Sequence, residues 1–151
     1  MIRKLFLVLI CAVAALTGYA KRVDFDRLSD LDGVTEVYIS KAMLSQMPDI
    51  ETEGVDISGM AGKLDCVQIL SAENEKATAA FRKDVAELPS DGYEEYMRIR
   101  DGGEKVLMYM KESKAGKSTF VMAVDNKQSY TLIVISGKFT AKDLQDLTKS
   151  K

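Results

Sequence analysis

The sequence predicts an α+β domain: a largely antiparallel sheet, with a C-terminal four-strand meander plus one or two earlier strands, and helices packed on one face. Three observations carry this. After Pro89 the hydrophobic period drops from about 3.6 residues to about 2. Four alternating stretches then follow, separated by turn-forming clusters too short for a crossover connection. Upstream, one segment over residues 74–88 has a continuous apolar stripe and clear ends, as an amphipathic helix requires.

Taken in order, residues 1–20 read as a cleavable secretory signal peptide. Arg3 and Lys4 form a positive start, LFLVLICAVAAL runs uncharged from Leu5 to Leu16, and Thr17-Gly18-Tyr19-Ala20 puts small residues where a signal peptidase inspects them. A spanning helix needs about 20 apolar residues, and this run is shorter. Cys11 lies inside the run behind a bulky isoleucine, so it does not suit a lipoprotein signal. The expected organisation is a signal peptide, 1–20, and a single α+β domain, 21–151, exported to the periplasm or beyond in a Gram-negative envelope, with no transmembrane segment after cleavage.

Cleavage removes two positive charges and no negative one, taking the formal net charge from −2 to −4. A mildly acidic domain has no electrostatic footprint for nucleic acid. It also loses Cys11, leaving Cys66 alone and unable to form an intramolecular disulfide. The chain has no histidine. This excludes Ser-His-Asp and Cys-His nucleophile activation and histidine-ligated metals.

VTEVYI, Val34 to Ile39, is β-branched and aromatic and reads as a first strand. KAMLSQM places Met43, Leu44 and Met47 at helical spacing before Pro48. Residues 49–63 are acidic and glycine-spaced, a surface loop with one helical turn around Ile57 to Leu64. Cys66 to Ser71 is a second strand, with Cys66 expected as a small buried hydrophobe rather than a reactive thiol. In the helix over 74–88, Ala77, Phe81, Val85 and Leu88 share one stripe, Ser71 or Asn74 caps the start, and Pro89 follows the end. Tyr93 to Arg100 alternates with Tyr93, Met97 and Ile99 on one side. Asp101-Gly102-Gly103 is hairpin chemistry. Glu104 to Lys111, Thr119 to Asp125 and Tyr130 to Ser136 complete the meander. Thr140 to Asp143 is a capping-box pattern opening a short helix through Leu144 and Leu147.

Few residues offer chemistry. Ala115-Gly116-Lys117-Ser118-Thr119 resembles the tail of a phosphate loop, but Lys111 stands where its first glycine belongs and a strand follows, so a hairpin turn is expected. Asp24, Asp26, Asp30 and Asp32 are weak calcium candidates. An EF-hand register through Asp32-Gly33 puts Leu28 and Ile39 at the first and last ligand positions, where both fail. Met97, Met108, Met110 and Met122 could offer thioethers to Cu(I), but they fall on the apolar phase of their strands, where core packing accounts for them. Glu94 and Glu95 are adjacent on a strand and point to opposite faces, so they form no dyad. No catalytic residue and no cofactor is expected.

Three stretches, FDRLSDLDGVTEVYISKAML (Phe25 to Leu44), YMRIRDGGEKVLMYMKE (Tyr96 to Glu112) and FVMAVDNKQSYTLIVISGKF (Phe120 to Phe139), resemble a family of small exported Bacteroidetes proteins known as domain of unknown function 4252. The resemblance implies an envelope location and, by association with extracytoplasmic sigma factors, an accessory role in envelope-stress regulation. The expected function is a non-catalytic binding or accessory domain that engages an envelope protein or itself. The alternative is a small-ligand or cation (calcium) binding protein.

Overall fold

The computed structural model describes residues 23–46, 51–52, 55–56, 62–113, 115–143 and 145. Residues 1–20, where a signal peptide is expected, and Met47, Pro48, Ile57, Leu144 and Leu147 lie outside these. The elements in chain order are helix α1 (Phe25–Ser29), strand β1 (Val34–Ser40), helix α2 (Lys41–Gln46), the short strands β2 (Glu51–Thr52) and β3 (Val55–Asp56), strand β4 (Leu64–Ala72), helix α3 (Glu75–Ala86), a 3-10 turn (Leu88–Asp91), and strands β5 (Glu94–Asp101), β6 (Glu104–Glu112), β7 (Ser118–Asp125) and β8 (Tyr130–Gly137). The α+β expectation is met, but the helices are not confined to one face. α1 and α3 bury Leu28 and Phe81 in one apolar cluster, whereas Leu44 of α2 packs in the other, because the sheet is apolar on both sides. Both early strands join the meander in one six-stranded sheet, ordered β1-β4-β8-β7-β6-β5 and antiparallel throughout. Within the expected 49–63 loop, β2 and β3 pair as a separate two-stranded hairpin.

α3 forms where the stripe placed it. Asn74 supplies the cap, its Oδ1 accepting from the Ala77 N–H at 2.8 Å, an arrangement that stabilises a helix by about 1 kcal/mol. Ala77, Phe81, Val85 and Leu88 are all buried against Leu70, Leu107, Val121, Leu132 and Val134. Phe81 is fully buried and meets Tyr130 edge to face, with centroids 5.9 Å apart; such a pair adds about 0.5–1.5 kcal/mol beyond burial. α1 lies on the same face. Its Arg27 Nη2 donates to both carboxylate oxygens of buried Asp84 on α3, at 3.1 and 2.8 Å.

The opposite face is apolar as well. Val67, Met110, Met122, Ile133 and Ile135 form a second cluster, capped at one end by Leu44 of α2 and by Phe139. The capping box at Thr140 is present. The Thr140 N–H donates to Asp143 Oδ2 at 2.9 Å, and the Asp143 N–H donates to Thr140 Oγ1 at 3.3 Å.

One expectation about phase is corrected. Tyr93 does not share a side with Met97 and Ile99. It is buried beneath α3, whereas Met97 and Ile99 pair with Met108 and Val106 on the other face. A register shift between Glu95 and Met97 leaves Tyr96 as an extra residue, and one extra residue reverses the side-chain phase of all that follows.

Candidate functional site

The sheet is open at both ends, and each end carries apolar side chains. β5 pairs only with β6 among the described residues and is exposed along its whole length. Tyr96 is 52% exposed, and Met97 and Ile99 are each 45% exposed. The β5–β6 turn fixes the phase of this edge. Asp101 opposes Glu104 across Gly102-Gly103, with positive φ at Gly102 alone, the pattern expected of a type II′ turn. A two-residue hairpin closes on a hydrogen-bonded pair, so Arg100 and Arg98, next in alternation, turn their backbone N–H and C=O groups outward. Their side chains lie on the α3 face, since Arg98 opposes Leu107. Arg98 also donates to both Glu95 oxygens, at 2.6 and 2.8 Å, which holds the Glu95 carboxyl below its usual range.

At the far end, β1 pairs only with β4 among the described residues. Thr35, Glu36, Val37 and Tyr38 are exposed in succession, with Val37 at 49% and Tyr38 at 59%. The Glu73 N–H donates to the Gly33 carbonyl at 3.0 Å. Counting from that bonded pair, Glu36 and Tyr38 direct their backbone groups away from β4. Glu36 opposes Leu70 and therefore shares the α3 face, while Val37 and Ile39 oppose Ile69 and Val67 on the other.

The residues singled out by sequence are mostly given structural roles. Asp24 caps α1, accepting from the Asp26 and Arg27 N–H groups. Asp26 Oδ1 accepts from Gln68 Nε2 at 3.2 Å. Asp30 is the C-cap residue of α1, and the Asp32 carbonyl accepts from Asn74 Nδ2. Among the described residues no group of three or more acidic or cysteine side chains gathers to hold a metal ion. Gly116 turns with φ +77°, β7 follows directly, and Ser118 Oγ donates to the Phe139 carbonyl at 2.8 Å. That segment is a hairpin turn. Met97, Met108 and Met122 occupy one row across three strands, within or at the margin of the second apolar cluster. Glu94 and Glu95 oppose Met110 and Tyr109, on opposite faces. Cys66 is free and half-buried rather than buried as expected, because it lies between Ser40 and Ser136 and outside both apolar clusters; its charge raises the pKa of Tyr38.

Other perturbed groups follow from burial or ion pairs in the frame. Burial, and then the charge of Asp91, push the Tyr93 phenol up to about 12. Burial raises Tyr130 as well. The hydrogen bond from Arg82 lowers Asp125, and that from Lys63 lowers Asp143. No helix among the described residues is long and apolar enough to cross a membrane.

A family model described as a domain of unknown function, DUF4252, matches residues 25–147. The chain is a member of the DUF4252 family. No curated protein and no solved structure matches it. The DUF4252 match begins at α1 and takes in every element from there to the capping box, so the whole sheet and both of its edges belong to the family domain.

Sequence reasoning identified the six strands of the main sheet of this DUF4252 domain but neither the β2–β3 hairpin nor the sheet's edges. Nothing in VTEVYI or EEYMRIRD states which strand lacks a neighbour. The available signal was the sequence of β5, where charged residues alternate with apolar ones and no side is wholly apolar. That is how an edge guarded against indiscriminate pairing is built.

Proposed function

We propose that this DUF4252 protein is an exported, non-catalytic binding domain of the envelope, and that it engages a protein partner by β-strand addition at β5. The single observation that carries the reading is the β5 edge. It is exposed over its full length, its outward backbone groups are unpaired among the described residues, and it presents Met97 and Ile99 for side-chain contact. Strand addition uses both features, main-chain bonds for affinity and alternate side chains for selection. The export part rests on residues 1–20, and the non-catalytic part on the histidine-free chain. Within the envelope such a domain acts as an accessory, envelope-stress regulation being the setting that the family resemblance implies.

The test is site-specific photocrosslinking in cells that express the full chain. A photoreactive phenylalanine analogue at Tyr96 is expected to yield a protein adduct in the envelope fraction, and the same group at Lys76 on α3 is not. The recovered chain is expected to begin at Lys21. Absence of an adduct at position 96, or equal adducts at both positions, would overturn the edge reading. Recovery of the chain in the cytoplasm with residues 1–20 attached would overturn export.

A further inference from the structure

We infer that the partner of the β5 edge is the β1 edge of a second copy of this chain, so that copies join head to tail into one continued antiparallel sheet. The inference rests on the reading of β5 as the binding edge and goes on to name what occupies it.

Strand parity allows the contact. With six antiparallel strands in the order β1-β4-β8-β7-β6-β5, β1 and β5 run in opposite directions. A second copy brought alongside without being turned over therefore sets its β1 antiparallel to β5, with the α3 faces of both copies on the same side. Hydrogen-bond phase allows it too. The outward backbone groups are those of Arg98 and Arg100 on β5 and of Glu36 and Tyr38 on β1, and all four side chains lie on the α3 face. Only registers that set these residues opposite one another form a ladder.

One register matches the side chains throughout. Glu36 falls opposite Arg100 and Tyr38 opposite Arg98, an ion pair and a guanidinium–aromatic contact. On the other face Val37 falls opposite Ile99 and Ile39 opposite Met97, joining the exposed margins of the second apolar cluster. Thr35 falls opposite Asp101. The lengths agree as well: the bulge at Tyr96 limits the regular part of β5 to Met97 through Asp101, which spans Thr35 through Ile39. Sliding by two residues one way sets Asp101 against Val37. Sliding the other way sets Arg100 against Val34 and Ile99 against Thr35. Pairing β5 with a second β5 is disfavoured, because every register in phase puts Arg98 or Arg100 opposite another arginine.

Such a contact is heterologous. Each copy keeps a free β1 at one end and a free β5 at the other, so growth is open and concentration-dependent. Adjacent strands rotate by roughly 20–25°, so six steps turn each copy by roughly 120–150° and the assembly winds as it grows.

Two sets of variants of the full chain, expressed with residues 1–20 and purified as the cell leaves it, test this. In a Cys66→Ser background, Val37→Cys with Ile99→Cys places cysteines at directly opposed, non-hydrogen-bonded positions, within disulfide reach. Mild oxidation is expected to give a ladder of multimers that reductant collapses. Either substitution alone is expected to give no dimer. In the second set, Glu36→Arg and Arg100→Glu are each expected to weaken self-association roughly fivefold in sedimentation equilibrium. Mixing the two is expected to restore assembly in alternating copies, one junction through the swapped pair and the next through the native Glu36–Arg100 pair, which serves even where the double-cysteine chain fails to fold. A strict monomer at millimolar concentration with no 37–99 crosslink overturns the inference. So does a disulfide-linked dimer from the single Val37→Cys variant, which would mean β1–β1 pairing. An adduct at position 96 to a different protein, with the chain monomeric, overturns the second copy as partner but leaves β5 as the binding edge. No adduct at all removes both.

Discussion

Replacing Gly137 with alanine is expected to cost more than any other glycine-to-alanine change in the sheet, because the obstacle is backbone. Gly137 ends β8, opposite Leu64 of β4 and Ser118 of β7. A Cβ there would fall on the Lys63 carbonyl oxygen and come within 2.8 Å of Leu64 Cα. No rotamer clears a main-chain atom, so the strand end must move by several tenths of an ångström. The same Lys63 carbonyl accepts from the Lys138 N–H at 2.8 Å, and Leu64 is fully buried. Overpacking of this kind costs about 1–3 kcal/mol. Weakening the hydrogen bond adds about 0.5–1.5 kcal/mol, and the stiffer unfolded chain returns about 0.4–1 kcal/mol. The net loss is therefore about 0.5–4 kcal/mol, centred on about 2 kcal/mol. In urea, with m of about 1–3 kcal/mol/M for small domains, the midpoint is expected to fall by roughly 1–2 M at unchanged m. Gly102→Ala is the control. Nothing lies within 4 Å of that Cβ, but φ is +59°, so the cost is only the left-handed strain of about 1–2 kcal/mol, and asparagine there is expected to recover part of it. If Gly137→Ala stays within about 0.5 kcal/mol of the parent, or asparagine at 137 is milder than alanine, the steric account fails.

Two further expectations follow from the core. Thr78 on α3 is buried with no partner for its Oγ1 among the described residues, so Thr78→Val is expected to raise stability by up to about 1 kcal/mol while Thr78→Ser lowers it, as read from denaturation midpoints. Tyr93 is neutral and buried, with its phenol raised from 10 to about 12. Its contribution is complete below pH 10 and lost as pH rises toward 12, because the unfolded chain releases that proton first. Denaturation midpoints are expected to fall across that window, and less in Tyr93→Phe; an equal fall in both would refute the assignment.

Much of the fold was legible because local periodicity and turn chemistry are local facts. The stripe Ala77, Phe81, Val85 and Leu88, the cap at Asn74, the Asp101-Gly102-Gly103 turn and the Thr140–Asp143 box all act within a few residues, and each stands where the sequence put it. The phase of Tyr93 against Met97 was misread because a bulge leaves no mark on alternation until the partner strand is known. The candidate site was legible only as an unplaced pattern, the charged and apolar alternation of EEYMRIRD.

The sequence by itself determined the element types of the six-stranded sheet and of α3, the absence of histidine chemistry and the hairpin order of β5 through β8, since each depends on residue identity and short-range spacing. Only the tertiary structure decided that β8 returns to pair with β4, leaving β1 and β5 as the two ends. That choice lies between strands of similar composition whose contacts are far apart in sequence, and what selects it is which pairing buries both faces of the sheet. The same choice put Glu36 and Tyr38 at one end and Arg98 and Arg100 at the other.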